Sequence, residues 1–191
     1  MNTLYPIFLK TENLRFLIVG GGAVAQEKLH FLLKSSPDAR IRLVAPEISD
    51  EILVMVQTHQ IELRMKHFAE SDLEFVSIVF AATSIKELNA SVKALSSAKG
   101  LLVNVADTPD LCDFYLGSII TRGALKIGIS TDGYSPTFAR KFREWLEHIL
   151  PEDTGRLLLA LKSYRATLRG NFRQKLDKLN DICEGLFPHN G

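Results

Sequence analysis

Two groups of residues have the types and spacing for chemistry. The first is Gly20-Gly21-Gly22-Ala23-Val24-Ala25, which fits G-x-G-x-x-G/A with alanine in the third place. In that pattern Gly20 permits a tight turn, Gly22 lets the backbone approach a pyrophosphate, and Ala25 lets a helix pack closely on a strand. Exposed N–H groups and the dipole of the following helix favour an anion there. The competing reading is a tight turn without a ligand. The apolar run Phe16–Val19 before the glycines and the amphipathic run Ala25–Leu33 after them supply the strand-to-helix context that favours a nucleotide cradle. The second group lies further along, where Asn104-Val105-Ala106-Asp107-Thr108-Pro109 ends an apolar run. Asp107 is either the cap of an Asx-turn before Pro109 or a carboxylate able to take or give a proton.

A dinucleotide fold also needs a ribose contact about 20 residues beyond the glycines. There the second apolar run ends Val44-Ala45-Pro46, with Glu47 just beyond. Glu47, or backbone groups from Pro46 to Ile48, can reach a ribose; the other reading of Glu47 is a solvated loop carboxylate. No arginine follows immediately to receive a 2′-phosphate, which favours NAD over NADP.

These groups need a scaffold. Short apolar runs (Leu14–Gly20, Ile41–Pro46, Val76–Thr83, Leu101–Ala106), and Ile61–Lys66, which alternates apolar and polar residues as a half-buried strand does, are interspersed with amphipathic segments (Ala23–Lys34, Ser49–Thr58, Ile85–Ala98). Strands alternating with helices predict a Rossmann-like, doubly wound parallel α/β sheet, with ligands outside the carboxyl ends of the strands. Thr83 with Ser84, Asn104 and Asp107 all fall at that edge. After Asp107 the pattern changes. Phe114–Thr131 reads as a hairpin joined at Thr121-Arg122-Gly123. Ser135 and Pro136 then open a helix that Pro151 stops. The run Thr154–Phe187 reads as helical with a break near Gly170-Asn171. The expected division is a dinucleotide-binding domain over 1–113, a small hairpin-plus-helix unit over 114–150 and a C-terminal helical unit over 151–191. A hairpin and one helix cannot form a core alone, so the middle unit packs on the first domain or on a second chain.

The balance of 23 basic against 22 acidic side chains predicts neither a nucleic-acid nor a membrane-surface binder. No apolar run reaches the ~18 residues of a membrane span, and no signal peptide is recognisable. Two cysteines without a C-x-x-C, and five scattered histidines, predict no disulfide framework and no metal site, and suit a reduced cytoplasmic protein.

In combination the motifs resemble the precorrin-2 dehydrogenase/sirohydrochlorin ferrochelatase family, which includes the N-terminal module of siroheme synthases. The residues that carry the likeness are YPIFL, FLIVGGGAVAQEKLHFLL, LVAP, AATSIKELN, NVADTPDLCDF and GSIITRGALKIGISTDGYSPTFARKFRE. The resemblance implies an NAD-dependent oxidation of precorrin-2 to sirohydrochlorin in siroheme (porphyrin) biosynthesis, with some members also inserting Fe2+. It implies an intertwined homodimer over 114–150 and a helical unit that helps enclose the tetrapyrrole. It maps the catalytic aspartate onto Asp107. Cofactor contacts map onto Gly20, Gly21, Gly22, Ala23, Val24, Pro46, Glu47 and Ile48, with the segment Thr83–Asn89 corresponding by strand position and Asn104 added from its place at the same sheet edge. A non-catalytic NAD-binding sensor or metal chaperone of the same fold is the alternative. Asp113, Gly117 and Asp132 depart from the family pattern, and Asp113 and Asp132 are expected to add negative charge near the substrate. Precorrin-2 is ringed by carboxylates, which cations suit. Arg140 and Lys141 with Arg143 form one basic cluster; Lys162, Arg165, Arg169, Arg173, Lys175 and Lys178 form another, whose bland reading is a solvated helix face.

Overall fold

The apolar run after Leu14 forms β1 (Arg15–Val19), and the glycines lead straight into α1 (Ala23–Ser35). In this computed structural model, which describes residues 2–186, the alternation continues through β2 (Arg40–Ala45), α2 (Asp50–Thr58), β3 (Ile61–Met65), β4 (Ile78–Ala81), α3 (Lys86–Ala98) and β5 (Leu102–Val105). The strands are parallel and ordered β3-β2-β1-β4-β5. Strand order reverses between β1 and β4, which makes their carboxyl ends the topological switch point of a Rossmann-like sheet.

Alternate strand residues serve opposite faces. Phe16, Ile18, Ile41, Leu43, Ile78 and Phe80 pack with Ala25, Leu29 and Leu33 of α1 and Ile52 of α2. Leu17, Val19, Val44, Val79, Val103 and Val105 pack with Val92 of α3. Strands buried on both faces explain the continuous apolar runs in the sequence. Each fully buried aliphatic side chain contributes about 1.5–3 kcal/mol.

The chain divides into two compact units, Met1–Leu116 and Gly117–Gly191. The second begins with an antiparallel hairpin, β6 (Ser118–Arg122) and β7 (Leu125–Ile129). The expected joint at Thr121-Arg122-Gly123 is displaced by one residue. Thr121 pairs with Lys126 and Arg122 with Leu125, so the loop is Gly123-Ala124, with Gly123 at φ +58°. Helix α4 (Pro136–Ile149) starts as the sequence predicts, with Ser135 Oγ accepting from Phe138 N at 3.1 Å. Helices α5 (Thr154–Thr167) and α6 (Phe172–Leu186) are separated at Gly170-Asn171, where Asn171 and Gln174 exchange backbone-to-side-chain hydrogen bonds. Phe187, the expected helix end, lies outside the described residues.

Candidate functional site

The carboxyl edge of the sheet is stitched together beyond the strands themselves. Gly20 N donates to Val44 O at 3.0 Å, Ala82 N to Val19 O at 2.8 Å, and Ala106 N to Ala81 O at 2.9 Å. These bonds bring the residues that follow β1, β2, β4 and β5 to one edge. Gly20–Val24, Pro46–Ile48, Thr83 and Asp107 are therefore neighbours by topology.

Each glycine of the loop has a different reason to be glycine. Gly20 is buried at φ +133°, a region side chains rarely adopt, and a Cβ there would overlap the Ala82 carbonyl oxygen. A Cβ on Gly21 would overlap the Glu47 carbonyl oxygen. Gly22 is exposed, and a Cβ there would meet nothing within 4 Å. Gly22 is also the N-cap of α1, which no side chain caps. The start of α1 thus has no side-chain cap and open space beside Gly22, an arrangement that suits a pyrophosphate. Ala23 is exposed, Val24 packs at the margin of the core, and Ala25 is fully buried against the sheet, as the fingerprint requires.

Pro46 and Glu47 are exposed, while Ile48 packs against the core. Ser49 N donates to Gly21 O at 2.8 Å, and Ser49 Oγ caps α2. Thr83 is braced by Asn89, the far end of the segment mapped by strand position, whose bracing role pattern reading did not foresee. Asn89 Oδ1 accepts from Thr83 N at 3.1 Å and Oγ1 at 2.7 Å, and Asn89 Nδ2 donates to Thr83 O at 2.9 Å. Asn89 shares the buried face of α3 with Val92 and Ser96. An asparagine on an otherwise core-facing stripe was the available signal.

Asp107 follows the last β4–β5 pairing at φ +55°. Its carboxylate is exposed and makes no hydrogen bond or ion pair among the described residues, so the Asx-turn is not formed. A non-glycine residue in the left-handed region, with an uncommitted carboxylate at a sheet edge, is a feature of functional sites. Asn104 differs. It is buried within β5 and Nδ2 donates to Phe114 O at 2.9 Å, so its amide nitrogen is committed to the protein.

The outward edge of β5 is covered by the segment that follows it. Asp113 Oδ2 accepts from Val103 N at 2.9 Å, Asp113 N donates to Val103 O at 2.8 Å, and Cys112 Sγ lies 3.2 Å from both Val105 N and Val105 O. Asp113 also pairs with Lys93 at 2.6 Å. Burial raises the Asp113 carboxyl, but the Lys93 and Val103 bonds outweigh it and hold it below its ordinary value. The extra charge expected from Asp113 is thus neutralised and spent on the strand edge. Burial pushes the Cys112 thiol up, which keeps it a protonated donor.

The two basic clusters are in different states. Lys141 pairs with Glu144 at 2.8 Å, Arg140 with Glu144 at 4.0 Å and Arg143 with Glu147 at 2.5 Å. Arg165 and Arg169 are exposed and make no ion pair among the described residues. Among the described residues no group of three or more His, Cys, Asp or Glu side chains could hold a metal ion. No described helix is long and apolar enough to cross a membrane.

Comparison with known proteins agrees with this geometry. The family described as "Putative NAD(P)-binding" matches residues 7–118, and that described as "Sirohaem biosynthesis protein central" matches residues 122–148. A siroheme synthase of Pseudoalteromonas translucida is 35% identical over 182 residues, 95% of this chain and 38% of that protein. One of Psychrobacter arcticus is 38% identical over 173 residues, 91% of this chain and 30% of that protein. The chain therefore spans less than two-fifths of the length of these relatives. The solved structure of SirC, precorrin-2 dehydrogenase, superimposes with a TM-score of 0.75 at 27% identity, covering 94% of this chain and 89% of that one. The resemblance carried by the motifs is borne out, and with its glycine loop, its sheet order and the match over residues 7–118, the chain belongs to the NAD(P)-binding family so described.

Proposed function

We propose that the chain oxidises precorrin-2 to sirohydrochlorin with NAD+ as hydride acceptor. The observation that carries this reading is the likeness to a solved precorrin-2 dehydrogenase over 94% of the chain, which extends well beyond the dinucleotide-binding half. The glycine loop fits the cofactor, because Gly22 and the uncapped start of α1 leave room and donors for a pyrophosphate. Bound NAD+ supplies the two-electron acceptor; the protein supplies position and proton handling. Gly20–Val24 seat the pyrophosphate, Pro46–Ile48 lie beside the ribose, and Thr83, fixed by Asn89, closes the edge. Oxidation of the macrocycle releases a proton along with the hydride, and Asp107 receives or steers it. The unpaired Arg165 and Arg169 suit substrate carboxylates better than Arg140 and Lys141, whose shared partner Glu144 would have to be displaced.

The reading extends to assembly and location. Phe138, Phe142 and Trp145 stack along α4 with ring centroids 5.8 and 5.6 Å apart, and all three are exposed. A second copy of the chain covers this face in a homodimer. The two free thiols, Cys112 and Cys183, suit a reducing cytoplasm.

The test is absorbance of sirohydrochlorin on mixing the chain with precorrin-2 and NAD+. Asp107→Asn keeps a residue that tolerates left-handed backbone and removes the base. It is expected to bind NAD+ normally while turnover falls by about 10²–10⁴-fold, the usual worth of a general acid–base. Turnover like that of the unmodified chain would remove Asp107 from the mechanism; no sirohydrochlorin from the unmodified chain would remove the proposal.

A further inference from the structure

The fingerprint requires glycine at Gly20 and Gly22, but its second position takes any residue. Gly21 occupies that position, and its φ lies outside the left-handed region, so its own backbone does not demand glycine. What demands it is the neighbouring loop. A Cβ on Gly21 would overlap the Glu47 carbonyl oxygen and stand 3.0 Å from both the Glu47 carbonyl carbon and Ala45 Cβ. The same turn is tied by hydrogen bonds, since Ser49 N donates to Gly21 O at 2.8 Å and Gly20 N to Val44 O at 3.0 Å. The loop between β2 and α2 is thereby fastened face to face on the glycine loop. Ile48 anchors it in the core and Ser49 starts α2 beneath it. Glu47 is left with its carbonyl pressed on Gly21 and its side chain exposed, without a hydrogen bond or ion pair among the described residues.

We propose that Gly21 is a positioning residue for cofactor choice: by letting the 45–49 loop dock on the glycine loop, it sets the Glu47 carboxylate where it accepts from the ribose hydroxyls of NAD+ and repels the 2′-phosphate of NADP+. The inference rests on the dinucleotide reading of this edge. It differs from the general role of an acidic residue after the second strand in assigning the discrimination jointly to Glu47 and to a glycine that the pyrophosphate fingerprint does not need. A free loop would carry its carboxylate away from a 2′-phosphate at little cost; the clamp on the Glu47 carbonyl holds the backbone in place, so the loop cannot withdraw the charge from that edge.

The experiment measures dissociation constants of NAD+ and NADP+ by titration calorimetry for the full chain, Gly21→Ala, Glu47→Gln and the double variant. The unmodified chain should prefer NAD+. Glu47→Gln should lower the preference more than about tenfold, as removal of a like-charge contact does. Gly21→Ala should lower it comparably although Glu47 is intact, and the double variant should be no worse than either alone, because the two act as one unit. Ser49→Pro gives an independent route. Ser49 sits at φ −68°, which proline adopts, and the substitution deletes the N–H that ties the loop to Gly21. It should also lower the preference, which keeps the proposal testable should Gly21→Ala not fold. A merely structural glycine would lower stability or weaken both dinucleotides equally. An unchanged preference in Gly21→Ala and Ser49→Pro, or additive effects in the double variant, overturns the proposal while leaving the NAD reading intact. Failure of the unmodified chain to bind either dinucleotide overturns both.

Discussion

Gly20 and Gly22 should answer the same substitution in opposite ways. At Gly20 an added methyl meets the Ala82 carbonyl oxygen on a backbone already at φ +133°. Gly20→Ala is expected to cost about 2–4 kcal/mol of stability, from strain and overpacking together, read as a lowered urea midpoint. At Gly22 the methyl meets no protein atom. Gly22→Ala should change stability by less than about 1 kcal/mol, the loss of a glycine N-cap, yet weaken NAD+ binding by about tenfold or more, because the methyl would stand in the proposed pyrophosphate seat. Normal NAD+ affinity in Gly22→Ala would mean that the open space is not the cradle. The fingerprint made both residues legible in the sequence. The fingerprint left Gly21 as a spacer and the family likeness made it a cofactor contact, but its packing constraint was not legible, because it comes from a carbonyl 26 positions further on in the chain, at Glu47.

At the scale of elements, the strand edges are managed by charge and by side-chain mimicry of a further strand. Cys112 and Asp113 cover the outward groups of β5, an edge that would otherwise be open to pairing with another chain. On the far side of the sheet, buried Arg42 donates to Asp72 O at 2.8 Å and Glu74 O at 3.1 Å and pairs with Glu62 at 3.1 Å. Buried Asp72 pairs with Arg64 at 2.7 Å and Lys66 at 2.6 Å and accepts from Ala69 N at 2.9 Å. Burial raises the Asp72 carboxyl, and the Lys66, Ala69 and Arg64 bonds together outweigh it and bring it below its ordinary value. A depressed folded value means that this stabilisation is complete above the unfolded aspartate value of about 3.9 and is lost as pH falls through the folded value. Stability in urea should therefore drop on acidification below about pH 4, with Asp72 and Asp113 both contributing. Asp72→Asn should lower stability at pH 7 by about 1–3 kcal/mol and flatten the acid slope. An unchanged slope would show that the network does not govern acid unfolding. The sequence displayed β3 as an alternating strand but gave no sign that its charges close on a buried aspartate in the loop before β4.

At the scale of the whole molecule, the second unit is short of core. Among the described residues its buried hydrophobics are Ile120, Ala139 and Leu168, while Phe138, Phe142, Trp145 and Ile149 line α4 in the open. The hairpin turn packs against the start of α5, where a Cβ on Gly123 would lie 2.7 Å from the Gly155 Cα, and this contact adds little apolar burial. This exposed aromatic ladder is the face that the proposed homodimer would cover. On the proposed homodimer, the unmodified chain is expected to sediment as a dimer and Trp145→Glu as a monomer, with NAD+ binding by the first unit retained. A dimer that survives Trp145→Glu and Phe142→Glu together would show that the contact lies elsewhere.

What the sequence determined by itself was the local grammar. Short apolar runs alternating with amphipathic segments specified a parallel sheet of five strands, the glycine fingerprint specified a strand-to-helix turn, and Ser135-Pro136 specified the start of α4. Each depends on residues near one another in the chain, where steric and hydrogen-bonding preferences act directly. Tertiary structure decided which of the polar groups were free. Asp107 kept its carboxylate, whereas Asp113 spent its charge on Lys93 and Val103 and Asn104 spent its amide on Phe114. It also decided that Arg140 and Lys141 are paired and Arg165 and Arg169 are not. The reason is physical: a side chain's type is local, but whether its hydrogen bonds and charge are already satisfied depends on neighbours that only the folded chain brings near.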